Sequence, residues 1–146
     1  MTLIYFFLFI NIFFGTLYEW AGKTRTVNIS KDEMLFAPVK YIDKALEDFA
    51  ILLKTKLSKC FKDKNELSEK LAIIHNEFNL IHPFREGNGR TIRLFLDLLV
   101  VSLGYDPIDW GKTTSTAYLN ACIAGVSGKH ESMTKIIKKG LDVNLE

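Results

Sequence analysis

Between residues 66 and 81 (ELSEKLAIIHNEFNLI) apolar side chains return every three or four positions. Leu67, Leu71, Ile74, Phe78 and Ile81 form one stripe, the pattern of an amphipathic helix. Pro83 should end it, because the residue before a proline is pushed out of helical geometry. Residues 91–103 (TIRLFLDLLVVSL) predict a second helix, apolar nearly all round and so expected to be central and buried, with Gly104 as its stop. Val27-Asn28-Ile29 and Met34-Leu35-Phe36 read as short strands, with Ser30-Lys31-Asp32-Glu33 as turn-forming residues between them. Residues 132–141 (SMTKIIKKGL) read as a late helix. The pattern predicts an all-α fold of about six to eight helices, given a mean length near 11–12 residues, interrupted by one small β-hairpin.

Composition narrows the class. At 146 residues the chain is expected to form one domain with a proper core. Hydrophobic residues at 48% and charged residues at 25% are the make-up of a soluble globular protein. A net charge of +2 is too small to argue for nucleic acid or an anionic membrane as partner. Residues 1–14 (MTLIYFFLFINIFF) are strongly apolar. They fall short of the roughly 20 residues that span a bilayer and lack the charged start and small-residue cleavage site of a signal peptide. Lys54, Lys56, Lys59, Lys62 and Lys64 cluster, but Leu57 and Phe61 among them suit a solvated helix end and loop better than a binding patch. Cys60 and Cys122 have no metal or redox spacing and fit a reducing, cytoplasmic compartment.

The candidate chemistry lies between the two predicted helices, in His82-Pro83-Phe84-Arg85-Glu86-Gly87-Asn88-Gly89-Arg90-Thr91-Ile92-Arg93. Two glycines allow positive φ and close approach of a ligand to the backbone. The loop feeds a helix N-terminus, whose free N–H groups and positive dipole end favour an anion. Arg90 and Arg93, at i and i+3, share a helix face and offer two guanidinium forks for successive phosphates. The Glu86 carboxylate suits magnesium beside phosphate oxygens. Asn88 can donate to a phosphate oxygen while capping the helix. The His82 imidazole can take a proton from an attacking hydroxyl. Phe84 is expected to face inward and anchor the loop. Taken singly, the arginines suit a solvated face, Glu86 a favourable helix start and His82 a satisfied helix end. Their conjunction around a glycine turn is what points to a site. Seven defined positions at about 5% usage each arise by chance on the order of once in 10⁹ starting points. His75, two helical turns before His82, reads as a packing or hydrogen-bonding residue, since no third ligand is spaced for a metal.

This run matches the pattern HxFx[D/E]GNGRxxR at every fixed position, and the chain resembles the Fic family (filamentation-induced domains) beyond it. Gly15-Thr16-Leu17-Tyr18-Glu19-Trp20-Ala21-Gly22 and Arg25-Thr26-Val27-Asn28-Ile29 look like the family's segment leading into its target-binding flap, and Phe36-Ala37-Pro38 like the flap's exit. Gly104-Tyr105 and Tyr118-Leu119-Asn120-Ala121 sit where the family has comparable residues. The resemblance implies a Fic-type helical bundle with residues 1–14 as a core helix, on a chain expected to be cut short at one or both ends relative to longer members. It implies a protein adenylyltransferase that moves AMP from ATP to a Ser, Thr or Tyr hydroxyl of a target protein and releases pyrophosphate. By position, His82 would be the general base and Glu86 the Mg²⁺ ligand. The Gly87, Asn88 and Gly89 amides, with the Asn88 side chain, would form the anion hole. Arg90 would contact the phosphates and Arg93 the terminal one. The flap residues Val27, Asn28, Ile29, Met34, Leu35 and Phe36 would hold the target as an added strand. The alternatives are a transferase using another phosphate-containing donor, or a non-catalytic nucleotide-binding or toxin-type module whose role is partner binding.

Many members carry an inhibitory [S/T]xxxE[G/N] element whose glutamate pairs with the second motif arginine, here Arg93. Ser127-Gly128-Lys129-His130-Glu131 has that spacing, but Ser132 follows and the glycine suits a loop between helices, so the match reads as coincidence. Inhibition would then come from a separate protein or from residues beyond the chain's ends, or would not occur.

Overall fold

The computed structural model describes residue 12 and residues 15–31, 34–57 and 61–142. The expected N-terminal core helix lies outside these residues except for Ile12, as do Lys59, Cys60 and the hairpin residues Asp32 and Glu33. In order, the elements are β1 (Ser30–Lys31), β2 (Met34–Leu35), a 3-10 turn (Val39–Tyr41), α1 (Ile42–Leu57), α2 (Lys64–Ile81), α3 (Asn88–Ser102), a 3-10 turn (Trp110–Lys112), α4 (Ser115–Val126) and α5 (Glu131–Gly140). The fold is all-α with one two-stranded antiparallel sheet, as the periodicity predicts.

α2 is the centre of the bundle, packed against α1, α3, α4 and α5. All five of its predicted stripe residues are buried. Phe78 sits between the rings of Phe49 on α1 and Phe84 in the loop, with centroids 5.7 and 6.4 Å away. Truncating a buried phenylalanine of this kind costs about 3–5 kcal/mol. The helix begins two residues before the expected start. Asp63 accepts a hydrogen bond from Glu66 N at 2.9 Å, and the Glu66 carboxylate accepts one from Lys62 N at 2.9 Å. The first bond uses a donor that the first turn leaves without a helical partner, and the second ties the residue before the N-cap to the helix.

α3 corrects the expectation of a central helix buried nearly all round. Thr91, Ile92, Phe95, Leu96, Leu99 and Val100 face inward, while Leu98 and Val101 are 41% and 48% exposed. α2, with its polar first turn, takes the centre instead. The hairpin is also shifted from its expected register. Ser30 and Lys31, read as turn residues, pair with Leu35 and Met34 respectively, and Val27–Ile29 lie outside the ladder. Among the described residues, no helix is long and apolar enough to cross a membrane.

Candidate active site

The site forms where the C-terminus of α2 meets the N-terminus of α3. α2 closes on His82, which takes the left-handed conformation (φ 48°, ψ 58°) and still donates its N–H to Phe78 O at 2.9 Å. It is the only non-glycine residue at positive φ among those described. The conformation costs a side chain roughly 1–2 kcal/mol, so surrounding contacts must hold it. The ring makes two such contacts. Its Nδ1 lies 3.2 Å from Asn79 O, and its face stacks on Phe36 with centroids 3.8 Å apart and planes at 17°. Donation from Nδ1 to a carbonyl leaves the Nε2 lone pair as the proton acceptor. Burial, then the cations Arg25 and Lys31, pull the imidazole down to about 4, while the bond to Asn79 opposes them. The ring is therefore neutral at physiological pH.

Phe84 is fully buried, as expected, and fixes the middle of the loop. Gly87 stands at φ 80° and is the N-cap of α3. Its carbonyl accepts the first helical bond, from Thr91 N at 2.9 Å, so the Asn88 and Gly89 amides ahead of it have no intrahelical acceptor. A Cβ at Gly89 would meet nothing nearer than Tyr118 Oη at 4.0 Å. The cradle is thus roomy as well as rich in donors.

Asn88 differs from the sequence reading. It does not cap the helix. Its side chain is buried and turned back into the loop, where Oδ1 accepts from Phe84 N at 3.0 Å and Nδ2 donates to Phe84 O at 2.8 Å. This pair of bonds sets the loop's curvature and leaves the main-chain amide of Asn88 as the donor it can offer an anion.

The opposed ends enclose a cavity of about 560 Å³ lined by His82, Glu86, Gly87, Asn88, Gly89, Arg90 and Arg93, together with Arg85 and Asn79. The hairpin adds Ile29, Ser30, Lys31, Met34 and Phe36, and α4 adds Tyr118, Leu119 and Cys122. Of the expected flap residues, Ile29, Met34 and Phe36 therefore line the cavity. Val27 is exposed, Leu35 is 76% exposed, and the Asn28 side chain instead accepts from Val39 N at 2.8 Å. Four cationic side chains against Glu86 give the cavity a positive character suited to a polyphosphate. Among the described residues, no three His, Cys, Asp or Glu side chains gather as a metal site. A metal on Glu86 would take its other oxygens from phosphates and water, which suits Mg²⁺ and does not suit a metal needing an all-protein cage.

Three features had no signal in the residue pattern. Arg25 is buried and donates to four main-chain carbonyls around the site. Asn79 is buried in the cavity wall with its Nδ2 donor unpartnered among the described residues. Arg93 lies over the Tyr118 ring, 5.0 Å from its centroid. The Tyr118 hydroxyl in turn bonds to buried His75 Nε2 at 2.8 Å, which gives His75 the hydrogen-bonding role expected of it. Glu131 opens α5 and lines a different cleft with His130, Lys135 and Lys138, consistent with a coincidental Ser-to-Glu spacing.

A model of the Fic/DOC family matches residues 5–100. Protein adenylyltransferase VbhT of Bartonella schoenbuchensis is 38% identical over 128 residues, which is 88% of this chain and 27% of that protein. The probable protein adenylyltransferase y4lH of Sinorhizobium fredii is 38% identical over 117 residues, 80% of this chain and 60% of that protein. The chain thus spans less than two thirds of the length of each of these relatives. The crystal structure of the Bartonella tribocorum effector BepC with bound AMPPNP superposes with a TM-score of 0.84 at 26% identity, covering 97% of this chain and 75% of that one.

Proposed function

The chain belongs to the Fic/DOC family, and from that membership we propose that it is a protein adenylyltransferase, moving AMP from ATP to a hydroxyl side chain of a target protein and releasing pyrophosphate. The observation that carries this reading is the opposition, across one cavity, of a neutral imidazole and a helix N-terminus equipped with open amides and two arginines. The relatives named as adenylyltransferases and the AMPPNP-bound neighbour support the same donor.

In this mechanism the Asn88 and Gly89 amides, Arg90 and Arg93 hold the polyphosphate and orient its α-phosphorus. The target's Ser, Thr or Tyr oxygen attacks that phosphorus in line. Its proton passes to His82 Nε2, the new P–O bond forms, and the bond to the bridging oxygen breaks to free pyrophosphate. Magnesium held by Glu86 would neutralise charge on the phosphates when bound. Most of the rate then derives from positioning and charge stabilisation rather than covalent chemistry by the enzyme. The target segment lies along the hairpin, which offers main-chain groups and so tolerates many acceptor sequences.

Incubation with labelled ATP, Mg²⁺ and cell lysate, followed by mass spectrometry of the labelled proteins, tests the proposal. AMP on a hydroxyl is expected, and its loss in His82→Ala with AMPPNP binding retained would assign the base. General-base removal typically costs 10²–10⁴-fold. Equal transfer by His82→Ala, or nucleotide binding by the wild type with no transfer to any protein, would overturn it.

A further inference from the structure

We propose that Arg25 is a positioning residue for the transfer, locking the hairpin and the His82 imidazole into one rigid unit. The inference rests on the adenylyltransferase reading only for its catalytic consequence; the locking itself is a property of the protein alone.

Arg25 is 2% exposed, and among the described residues its guanidinium donates to main-chain oxygens alone. Nε donates to His82 O at 2.8 Å, and one terminal nitrogen donates to Ile81 O at 3.2 Å. These carbonyls end α2, where helical N–H partners have run out and the dipole is negative, so a cation belongs there. The other donors reach Val27 O at 2.8 Å and Ala37 O. Val27 and Ala37 lie just outside the two ends of the hairpin ladder. A single side chain therefore draws the hairpin's base together and binds it to the residue that carries the imidazole. The Arg25 amide adds a fifth tie, to Pro83 O at 2.8 Å, and Ala37 N a sixth, to Leu80 O at 3.0 Å.

The imidazole depends on this unit. Its left-handed backbone is held through His82 O, and its ring lies on Phe36, next to Ala37. A hairpin that drifts takes Phe36 with it and releases the ring. Lysine keeps a charge but has no planar fork and cannot serve four carbonyls at those angles. Arg25→Lys should therefore fold, bind nucleotide and transfer badly.

The test combines two measurements on the wild type and Arg25→Lys. In the first, NMR follows the His82 ring through a pH titration and amide exchange across residues 27–37. The charged groups around that ring are Arg25 and Lys31, with Arg85, Glu86, Arg90 and Arg93 on the cavity wall. In the variant the ring is expected to titrate closer to its ordinary value of about 6.5 and hairpin amides to exchange at least tenfold faster, with α2 amides unchanged. In the second, AMPPNP affinity should stay within about threefold while kcat for transfer falls tenfold or more, a split that general destabilisation does not give. An unchanged ring titration and unchanged hairpin exchange would overturn the proposal whether or not the protein transfers AMP. Absence of transfer by the wild type would refute the adenylyltransferase reading and leave the NMR result to decide this one. If Arg25→Lys does not fold, exchange in the wild type decides: hairpin amides opening independently of the Arg25 Nε–H would refute the lock.

Discussion

Replacing Asn88 by alanine separates two roles that the residue pattern alone runs together. If the side chain were a phosphate donor, the substitution would weaken nucleotide binding and leave folding intact. Here both ends of its amide are committed to Phe84, at 3.0 Å from the nitrogen and 2.8 Å to the oxygen. Asn88 is 2% exposed and Phe84 wholly buried, so alanine removes both of these hydrogen bonds from a place closed to water. Each buried bond lost in this way costs about 1–3 kcal/mol, giving roughly 2–6 kcal/mol in all, less if water enters the space. For a chain of this size 1 kcal/mol shifts Tm by about 2–4 °C. A fall on the order of 10 °C is expected, accompanied by loss of AMPPNP binding because the cradle loses its shape. Asn88→Asp should be nearly as damaging, since it accepts from Phe84 N but sets an oxygen against Phe84 O. Differential scanning calorimetry with and without AMPPNP measures both effects. A Tm within 1 °C of wild type, with nucleotide binding lost, would refute the reasoning and return the side chain to the phosphates.

Two further outcomes follow from buried groups. Burial pulls the imidazoles of His75 and His82 down to about 4, so the unfolded chain binds protons that the folded chain refuses. The stability they contribute is complete above about pH 6.5 and is lost as pH falls towards 4, on the order of 3 kcal/mol for fully buried His75. Urea midpoints should fall between pH 6.5 and 4.5, more gently in His75→Gln; a flat profile would contradict it. At Gly125 a Cβ would lie 2.4 Å from Asn76 Cγ, against a buried side chain that donates to His130 Nδ1 at 2.9 Å. Gly125→Ala should cost about 1–3 kcal/mol, and a double-mutant cycle with Asn76→Ala should recover part of it; strict additivity would show that the two do not meet.

Much of this architecture was legible because burial follows period. Leu67, Leu71, Ile74, Phe78 and Ile81 all entered the core, and Pro83 marked the end of their helix to the residue. What failed did so for identifiable reasons. The start of α2 was missed because Lys64 and Asn65 are polar and half or fully exposed, leaving no apolar signal. α3 looked buried on all sides, yet an isolated sequence does not say how many neighbours a helix has, and Leu98 and Val101 face outward. The hairpin's register slipped because turn propensity marks four eligible residues and does not say that Ser30 and Lys31 join the ladder. The cavity residues from His82 to Arg93 were found because their chemistry is contiguous. Arg25 was not, because its partners are oxygen atoms up to 57 positions away and carry no residue identity.

That last point bears on how such a chain can change. Carbonyl oxygens belong to every residue type, so the hold of Arg25 does not depend on which side chains stand at positions 27, 37, 81 or 82. If the hairpin holds the target as proposed, substitutions at its exposed positions Val27, Ser30 and Leu35 would change what it touches while Phe36 and the Arg25 bonds keep the imidazole in place, so new acceptors would be reachable by single steps.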